Sequence, residues 1–350
     1  RWADARGPGL SRKGGAGPSD HKAITIAGQT VMVPVFTHAS AHSPFSVELL
    51  ALEGAAVLRR NGSPVADIAF PTEPRFYARS TADGIPYWKI AVLHGRDVLA
   101  TTVLQTCVRY KQRATSCQFC AIGQSLSRKA TLAEKTPAQL AEVAKAAVEL
   151  DGVTHMVLTT GTPPGEDRGA RVLSAAAEAI KTAVDLPIQA QCEPPSDHAW
   201  FDRLADSGVD TLGMHLEAVT DSVRRRIMPG KAEVSVSAYM GAFTRAVEVF
   251  GRGQVTTYIL AGLGDSREAI LDACRTLVRL GVYPFVVPFV PIAGTPLEHH
   301  AAPTAEFMDD LLSEVASILE IARLSSAHIK AGCGRCGACS SLRAQETARA

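Results

Sequence analysis

The sequence lacks any apolar run long enough to span a membrane, and its start, Arg1-Trp2-Ala3-Asp4, lacks the apolar core of a signal peptide. It also lacks an excess of either charge, because 36 basic and 35 acidic residues give a formal net charge of +1. Proteins that bind polyanions usually carry a basic excess. We therefore expect a cytoplasmic protein, trimmed at its start, with neither nucleic acid nor membrane as a partner.

The composition favours a folded chain with a flexible start. Apolar residues make up 46% of the 350 residues and charged residues 20%, enough for a substantial core. Residues 1–20 are rich in glycine and proline and predict a flexible arm. Residues 21–96 alternate short apolar runs with turn signals such as Asn61-Gly62, which predicts a small β-rich N-terminal unit.

Residues 97–322 show six apolar runs alternating with helical patterns. Strands are expected at 98–106, 153–159, 188–192, 211–215, 255–261 and 283–290. Helices are expected at 137–150, 170–184, 199–207, 236–250, 267–280 and 304–322. This alternation predicts an α/β fold with a parallel sheet, a partial (β/α)6 TIM-like barrel, whose chemistry lies at the carboxyl ends of the strands. Residues 323–350 form a C-terminal tail.

Six of the eight cysteines fall into two tight clusters, which in a reducing compartment indicates metal or redox chemistry. The first is Cys107, Cys117 and Cys120, spaced by nine and then two residues after the first expected strand. Three thiolates suit an iron–sulfur cluster and leave one iron of a [4Fe–4S] cluster open to chelate S-adenosylmethionine (SAM). A zinc site would need a fourth ligand nearby, and the next candidates, His155 and Cys192, are remote in sequence.

These features resemble the radical-SAM superfamily and, within it, the biotin synthase-like branch. Phe119 stands before the last cysteine, where the superfamily has an aromatic residue near the SAM adenine. Thr160, Gly161 and Thr162 follow the second expected strand, where the family's Gly-Gly-Glu segment meets the SAM amino group. Because threonine replaces the glutamate, the resemblance implies that backbone carbonyls and hydroxyls hold that group.

Later strands end in further segments that resemble the family. Met214-His215-Leu216-Glu217 is similar to the Asn-Leu-Glu segment of biotin and lipoyl synthases, and residues 259–265 to a Gly-Leu-Gly-Glu turn near the adenine. Residues 291–297 resemble the Gly-Thr-Pro-Leu loop of biotin synthase. The resemblance implies that the cofactor is bound by His215, Glu217, Arg226, Gly262, Gly264 and Asp265, together with Phe119 and the 160–162 segment.

The whole chain resembles an uncharacterised radical-SAM subfamily encoded in bacterial gene clusters beside a nitrilase. Segments 118–123, 191–195, 226–231 and 330–336 carry this likeness. It implies the fold and the cofactors, and it supplies no substrate.

The second cluster is the glycine-spaced triple Cys333, Cys336 and Cys339 in the tail. Glycines let the backbone wrap a metal centre and donate N–H groups to sulfur. We expect an auxiliary Fe–S cluster; structural zinc and a redox-active or unligated tail are the alternatives. The fourth ligand would be Cys192, Ser340, Ser341, substrate or water, and Cys192 is equally well read as a buried strand-end thiol.

The resemblance implies an enzyme that reductively cleaves SAM at a [4Fe–4S] cluster, yielding a 5′-deoxyadenosyl radical that acts on a small-molecule substrate. It also implies an electron donor such as flavodoxin or ferredoxin. Sulfur insertion of the biotin or lipoyl synthase type is one alternative. A non-catalytic zinc-binding or scaffold protein is another.

Overall fold

The computed structural model describes residues 21–35, 37–50, 55–110 and 112–349; the arm expected at 1–20 lies outside them. Strands between His21 and Ala69 form a five-stranded antiparallel sheet in the order β2-β1-β5-β4-β3. Its elements are β1 (His21–Ile26), β2 (Gln29–Pro34), α1 (His38–Ala41), β3 (Phe45–Leu49), β4 (Ala55–Arg60) and β5 (Ser63–Ala69). The expected β-rich N-terminal unit is confirmed.

The hairpin between β4 and β5 turns where the sequence predicts it. Asn61 and Gly62 both have positive φ angles, 50° and 84°, which is the conformation that a tight hairpin turn requires. Ile24, Ala56 and Ile68 form the small core of this sheet. Local turn chemistry therefore fixes the hairpin, and three side chains give the sheet its apolar face.

A second sheet of seven strands, in the order β12-β11-β10-β9-β8-β7-β6, forms the body of the protein. β6 pairs antiparallel with β7, and every later neighbour is parallel. The strands are β6 (Val92–His94), β7 (Val98–Thr102), β8 (His155–Thr159), β9 (Ile188–Gln191), β10 (Thr211–Gly213), β11 (Val255–Ala261) and β12 (Val282–Pro288). The expected partial barrel of six parallel strands is confirmed.

Eleven helices follow the N-terminal sheet in the described part of the chain, and α4 to α9 lie between the parallel strands. They are α2 (Tyr87–Ile90), α3 (Gln124–Ser127), α4 (Pro137–Asp151), α5 (Ala170–Ala183), α6 (Ala199–Asp206), α7 (Asp221–Ile227), α8 (Val236–Phe250), α9 (Arg267–Leu280), α10 (Ala305–Ile321), α11 (Cys333–Cys336) and α12 (Leu342–Arg349). Among the described residues, none of these helices has the length and apolarity needed to cross a membrane.

Helix ends follow local capping signals. The Thr136 hydroxyl accepts the Gln139 N–H at 3.2 Å, and the Gln139 side chain accepts the Thr136 N–H at 3.0 Å, a complete capping box before α4. Ser266 caps α9 in the simpler way, accepting the Ala269 N–H at 3.1 Å. At the other end of α9, Gly281 takes a left-handed conformation with φ of 90°.

The side chains of β9 divide between the two faces of the barrel. Ile188 and Ala190 belong to the apolar core that packs under the helices. Gln189 and Gln191 alternate with them and point inside, where the Gln189 amide donates to the Thr256 hydroxyl at 3.1 Å. The inside of the half-barrel is therefore polar at this strand.

The tail lies across the amino ends of the strands, opposite the first three cysteines. The Gly332 N–H donates to Nδ1 of His155 at 3.0 Å, and the Thr211 hydroxyl donates to the Ala331 carbonyl at 3.0 Å. Gly332 has a φ of 103°, and a Cβ there would lie 2.1 Å from the Gln189 side chain. Only glycine permits this approach, so the tail closes the amino-terminal opening of the half-barrel.

The carboxylate of Glu346, on α12, fastens the end of the tail. It accepts the Ser326 N–H at 2.9 Å, the Ser326 hydroxyl at 3.0 Å and the Ser325 hydroxyl at 3.2 Å, and it also receives the Tyr283 hydroxyl. Tyr283 is 1% exposed. Without Glu346, the buried Tyr283 hydroxyl would lose its hydrogen-bond acceptor.

We expect Glu346→Ala to lower the free energy of unfolding by about 1–3 kcal/mol, because it leaves buried donors unsatisfied. Glu320→Ala is the matched control, since Glu320 contacts Arg349 only at 3.9 Å on the surface and should cost less than about 1 kcal/mol. Urea unfolding measures both variants, and equal losses would show that Glu346 does not fasten the tail.

Candidate active site

The chain that leads from β7 to Cys107 runs beside the segment that follows β8. The Gly161 N–H donates to the Leu104 carbonyl at 2.8 Å, and the Val108 N–H donates to the Thr162 carbonyl at 2.9 Å. A Cβ at Gly161 would lie 2.2 Å from the carbonyl oxygen of Thr106. Glycine at 161 is therefore required for the approach that places Cys107 at the carboxyl ends of the strands.

A buried ion pair anchors the cysteine loop. The Arg109 guanidinium, between the first and second cysteines, donates to both carboxylate oxygens of Glu193 at 2.9 Å. Glu193 directly follows β9, is 8% exposed, and also receives the Thr162 hydroxyl at 2.8 Å and Arg168 at 3.2 Å. Burial alone would raise the pKa of this carboxyl, but Arg109 and the nearby Lys231 hold it below its usual value.

The rest of the loop is attached to the turn that follows α7. The Gln118 N–H donates to the Ile227 carbonyl at 2.8 Å, and the Gly230 N–H donates to the Thr115 carbonyl at 3.1 Å. Burial raises the pKa of the Cys117 thiol, the Glu217 carboxylate adds to this, and the Lys231 ammonium opposes it. Cys117 and Cys120 therefore lie at the same mouth as the buried charges.

A cavity of about 490 Å³ extends from this mouth into the half-barrel. Its wall includes Cys120 from the loop and Cys333 and Cys339 from the tail, so one cavity touches both cysteine clusters. The volume falls in the usual range for small-molecule sites. Most of the remaining wall is apolar, including Phe119 and Phe289.

Three residues predicted to bind the cofactor line this cavity: Phe119, His215 and Glu217. Nδ1 of His215 accepts the Tyr258 N–H at 3.2 Å, so the proton lies on Nε2, which has no hydrogen-bond partner within the described ranges. Burial and Lys231 lower the pKa of His215 to about 3, which keeps the ring neutral. Nε2 is thus a donor available to a bound molecule.

Glu217 is held in an unusual backbone conformation at the cavity wall. Its φ is 63°, and its carboxylate pairs with the Lys231 ammonium at 2.8 Å. Burial would lower the pKa of Lys231, but Glu217 beside it raises the pKa above its usual value. A left-handed conformation at a non-glycine residue is costly and is often found at functional sites.

The other predicted cofactor residues lie at the mouth and are mostly engaged with the backbone. The Thr160 hydroxyl donates to the Gly161 carbonyl at 2.8 Å, and Arg226 donates to the Leu263 carbonyl at 3.1 Å. The carboxylate of Asp265 accepts the N–H groups of Val219 and Thr220 at 2.8 and 3.0 Å. These contacts order the loops at the carboxyl ends of the strands, where Gly262 and Gly264 of the turn after β11 have φ angles of 105° and 119°.

The tail cysteines lie near one another at the far end of the cavity. The Gln191 amide donates to Sγ of Cys333 at 3.2 Å, and Sγ of Cys339 lies 3.4 Å from Nε2 of His94. Burial raises the pKa of both thiols, while hydrogen bonds from the Tyr258 hydroxyl oppose the rise. Burial also raises the pKa of Cys336 to about 12. Cys333 and Cys339 therefore lie beside neutral polar groups, whereas Cys336 lies nearer to the charged side chains of Asp97 and Arg343.

Cys192 directly follows β9, and its side chain belongs to the apolar core together with Ile188 and Ala190. It is 8% exposed; burial raises the pKa of its thiol to about 12, and Glu193 and Asp167 add to the rise. Among the residues that the structure describes, no three His, Cys, Asp or Glu side chains have the spacing needed to hold one metal ion. A multi-iron cluster separates its ligands more widely than a single ion does, and both cysteine triples offer the soft sulfur donors that such a cluster takes.

Several residues of the site were missed from the sequence. Arg109 and Arg168 read as ordinary loop cations, and His94 belongs to a strand too short to show a pattern. Gln189 and Gln191 did carry a signal, because two amides at alternate positions of a barrel strand place polar groups inside.

Comparison with known proteins identifies the class. Residues 112–277 match the family model of the Radical SAM superfamily. The match covers just under half of the chain; it begins after Cys107 and ends before the tail. The match identifies the superfamily and does not distinguish the biotin synthase-like branch within it.

Curated relatives share only part of their length with this chain. The bacteriochlorophyllide c C-7(1)-hydroxylase of Chlorobaculum limnaeum is 27% identical over 136 residues, which cover 38% of this chain and 34% of that protein. The dual-specificity RNA methyltransferase RlmN of Oleidesulfovibrio alaskensis is 30% identical over 151 residues, 41% of this chain and 40% of that protein.

Solved structures match this chain at low identity and with TM-scores below 0.5. Methylornithine synthase is 17% identical with a TM-score of 0.49, covering 70% of this chain and 68% of its own. A radical SAM methyltransferase from Sphaerobacter thermophilus is 16% identical with a TM-score of 0.49, covering 81% and 76%.

We expect Arg109→Ala to destabilise the fold by about 3–5 kcal/mol, because it leaves the buried Glu193 carboxylate without its main partner. Arg113→Ala, an exposed arginine of the same loop, should change stability by no more than about 0.5 kcal/mol. Denaturant unfolding at pH 7 measures both, and equal effects would contradict the anchoring role.

The same ion pair predicts a pH dependence. The folded-state pKa of Glu193 lies below its ordinary value of 4.5. The ionised carboxylate therefore contributes its full share to the free energy of unfolding above pH 4.5, and this share is lost as the pH falls through the folded-state pKa. The stability gap between wild type and Glu193→Gln should therefore be constant from pH 7 to 5 and shrink below. A gap that widens on acidification would contradict the assignment.

Proposed function

We propose that this chain is a radical-SAM enzyme of the biotin synthase-like branch, similar to the subfamily encoded beside a nitrilase, and that it acts on a small metabolite. The observation that carries the proposal is the single cavity that joins Cys120 at the mouth to the tail cysteines. In this proposal the barrel of residues 97–322 binds SAM and substrate, and the tail of 323–350 carries an auxiliary cluster.

Cys107, Cys117 and Cys120 would hold the [4Fe–4S] cluster. The loop bonds to the carboxyl ends of β8 and β9 through Val108 and Arg109, so its cysteines stand at the end of the sheet where barrel enzymes carry their chemistry. When bound, the cluster and SAM supply a one-electron reductive cleavage that generates a hydrogen-abstracting radical.

The cavity residues would position SAM and the substrate. Nε2 of His215 offers a hydrogen bond, and the Lys231 and Glu217 pair offers one group of each charge for the amino and carboxylate groups of a methionine moiety. Phe119 and Phe289 supply an apolar wall that keeps water from the reacting atoms. An electron donor such as flavodoxin or ferredoxin would deliver the electron.

A small metabolite is preferred to RNA as the substrate. RNA is what the names of the methyltransferase relatives specify for those proteins. This chain matches them over part of their length, carries a net charge of +1 and offers an internal cavity of about 490 Å³.

Anaerobic reconstitution with iron and sulfide tests the proposal. With SAM and a chemical reductant, wild type should form 5′-deoxyadenosine, and replacing Cys107, Cys117 or Cys120 by alanine should abolish it. Cys274→Ala, a buried thiol of α9, is the matched control and should retain the activity. Zinc retained at both sites with no deoxyadenosine formed would instead support a non-catalytic metal protein.

Sulfur insertion is a second candidate, because Cys333 and Cys339 line the cavity in which substrate would sit. It requires a tail cluster that is consumed, whereas a relay or anchor would stay intact. The two roles can be distinguished by measuring acid-labile sulfide after one turnover with a bacterial small-metabolite extract. Loss of sulfide supports sulfur insertion, and unchanged sulfide with product formed excludes sulfur insertion.

A further inference from the structure

We propose that His94 is the fourth protein ligand of the cluster held by Cys333, Cys336 and Cys339. This assignment rests on the proposed auxiliary cluster and names a ligand from outside the tail. His94 is the last residue of β6, the strand that pairs antiparallel at the edge of the parallel sheet. The tail and this edge strand would thus share one metal centre.

The contact between ring and sulfur is direct. Nε2 of His94 lies 3.4 Å from Sγ of Cys339, and the histidine is 8% exposed. Imidazole nitrogen is an established ligand of iron in clusters that otherwise carry cysteine. A buried imidazole against a cysteine of a three-cysteine cluster has the chemistry that the missing ligand requires.

The residue after His94 brings a second sulfur to the same place. Gly95 has a φ of 61°, and a Cβ there would lie 2.8 Å from Sγ of Cys336. The close approach of Cys336 therefore depends on glycine at 95. His94 thus offers a ligand beside Cys339, and the absence of a side chain at Gly95 leaves room for the sulfur of Cys336.

The third sulfur is held on the other side by side chains of the barrel. Cys333 receives the Gln191 amide at 3.2 Å, and its N–H donates to the Gln189 side chain at 3.1 Å. The Tyr258 side chain lines the same cavity as Cys333 and Cys339. Donors of this kind tune a cluster rather than ligate it, whereas the imidazole of His94 can ligate one.

The competing ligands are engaged elsewhere. The Ser340 hydroxyl donates to the Val286 carbonyl at 2.7 Å and accepts the Leu342 N–H at 3.1 Å. Nδ1 of His155 accepts the Gly332 N–H at 3.0 Å and so holds the tail backbone. The Cys192 side chain belongs to the apolar core with Ile188 and Ala190, whereas the neighbouring Gln191 faces the inside and contacts Cys333.

Histidine ligation has an electronic consequence. A neutral imidazole in place of a thiolate removes one negative charge from the cluster and raises its reduction potential. Cys336 lines an outer polar depression whose wall also holds Arg96, Arg335 and Arg343, whereas Cys333 and Cys339 line the inner cavity. The cluster would lie between solvent and substrate, at a potential that His94 sets.

The test uses the full chain with Cys107, Cys117 and Cys120 all replaced by alanine, so that only the tail carries iron. After reconstitution and reduction, pulsed electron paramagnetic resonance should show a strongly coupled nitrogen that changes to the ¹⁵N pattern when histidine is ¹⁵N-labelled. His94→Ala and His94→Cys should abolish this coupling. His155→Gln, which changes a buried histidine of β8 that contacts the tail at Gly332, should retain it.

His94→Cys is also expected to keep the wild-type iron content and to lower the reduction potential, which a structural role alone would not do. Iron bound without histidine coupling, or coupling that persists in both His94 variants, would overturn the ligand assignment and leave the auxiliary cluster in place. A tail that binds no iron in this background would overturn the auxiliary cluster and the ligand together. Circular dichroism confirms that each variant is folded.

Discussion

The structure of the mouth depends on one buried carboxylate. Glu193 follows β9 and has partners from two other segments: Arg109 of the cysteine loop, and Thr162 and Arg168 of the loop between β8 and α5. A buried carboxylate is stable as an ion only when such partners surround it. Since Arg109 stands between Cys107 and Cys117, the same requirement that keeps Glu193 charged also fixes the cysteine loop against the sheet.

The two ends of the half-barrel provide different electrostatic environments for their cysteines. At the mouth, Cys117 lies among full charges, with Glu217 and Lys231 acting in opposite directions on its pKa. At the other end, Cys333 and Cys339 meet neutral groups, chiefly the Gln191 amide, the Tyr258 hydroxyl and the His94 ring. Two clusters bound in these surroundings would differ in potential even with similar ligands.

The elements that the sequence predicted well are those with local boundaries. The helices at 236–250 and 267–280 match the structure residue for residue because Ser235 and Ser266 cap them and glycines end them. The first parallel strand was expected to reach residue 106 but ends at Thr102, because Leu104 turns to form a bridge with Glu134. The position of the tail could not be predicted, since it depends on contacts such as Gly332 with Gln189, between residues distant in sequence.

The sequence predicted the candidate cysteine ligands of the site but not the residues that position them. Cysteine spacing is a local property, so the two triples were evident, whereas the roles of Arg109, Gln191 and His94 appear only when the sheet brings them close to the cysteines.

The protonation of the cysteine thiols sets a requirement on the residues around them. Because burial raises the pKa of Cys117, Cys333, Cys336 and Cys339, these groups are protonated near neutrality without a metal. Cluster assembly must therefore expel several protons from a dry interior. Neutral donors beside sulfur and a neutral imidazole ligand both reduce the negative charge that this interior must hold.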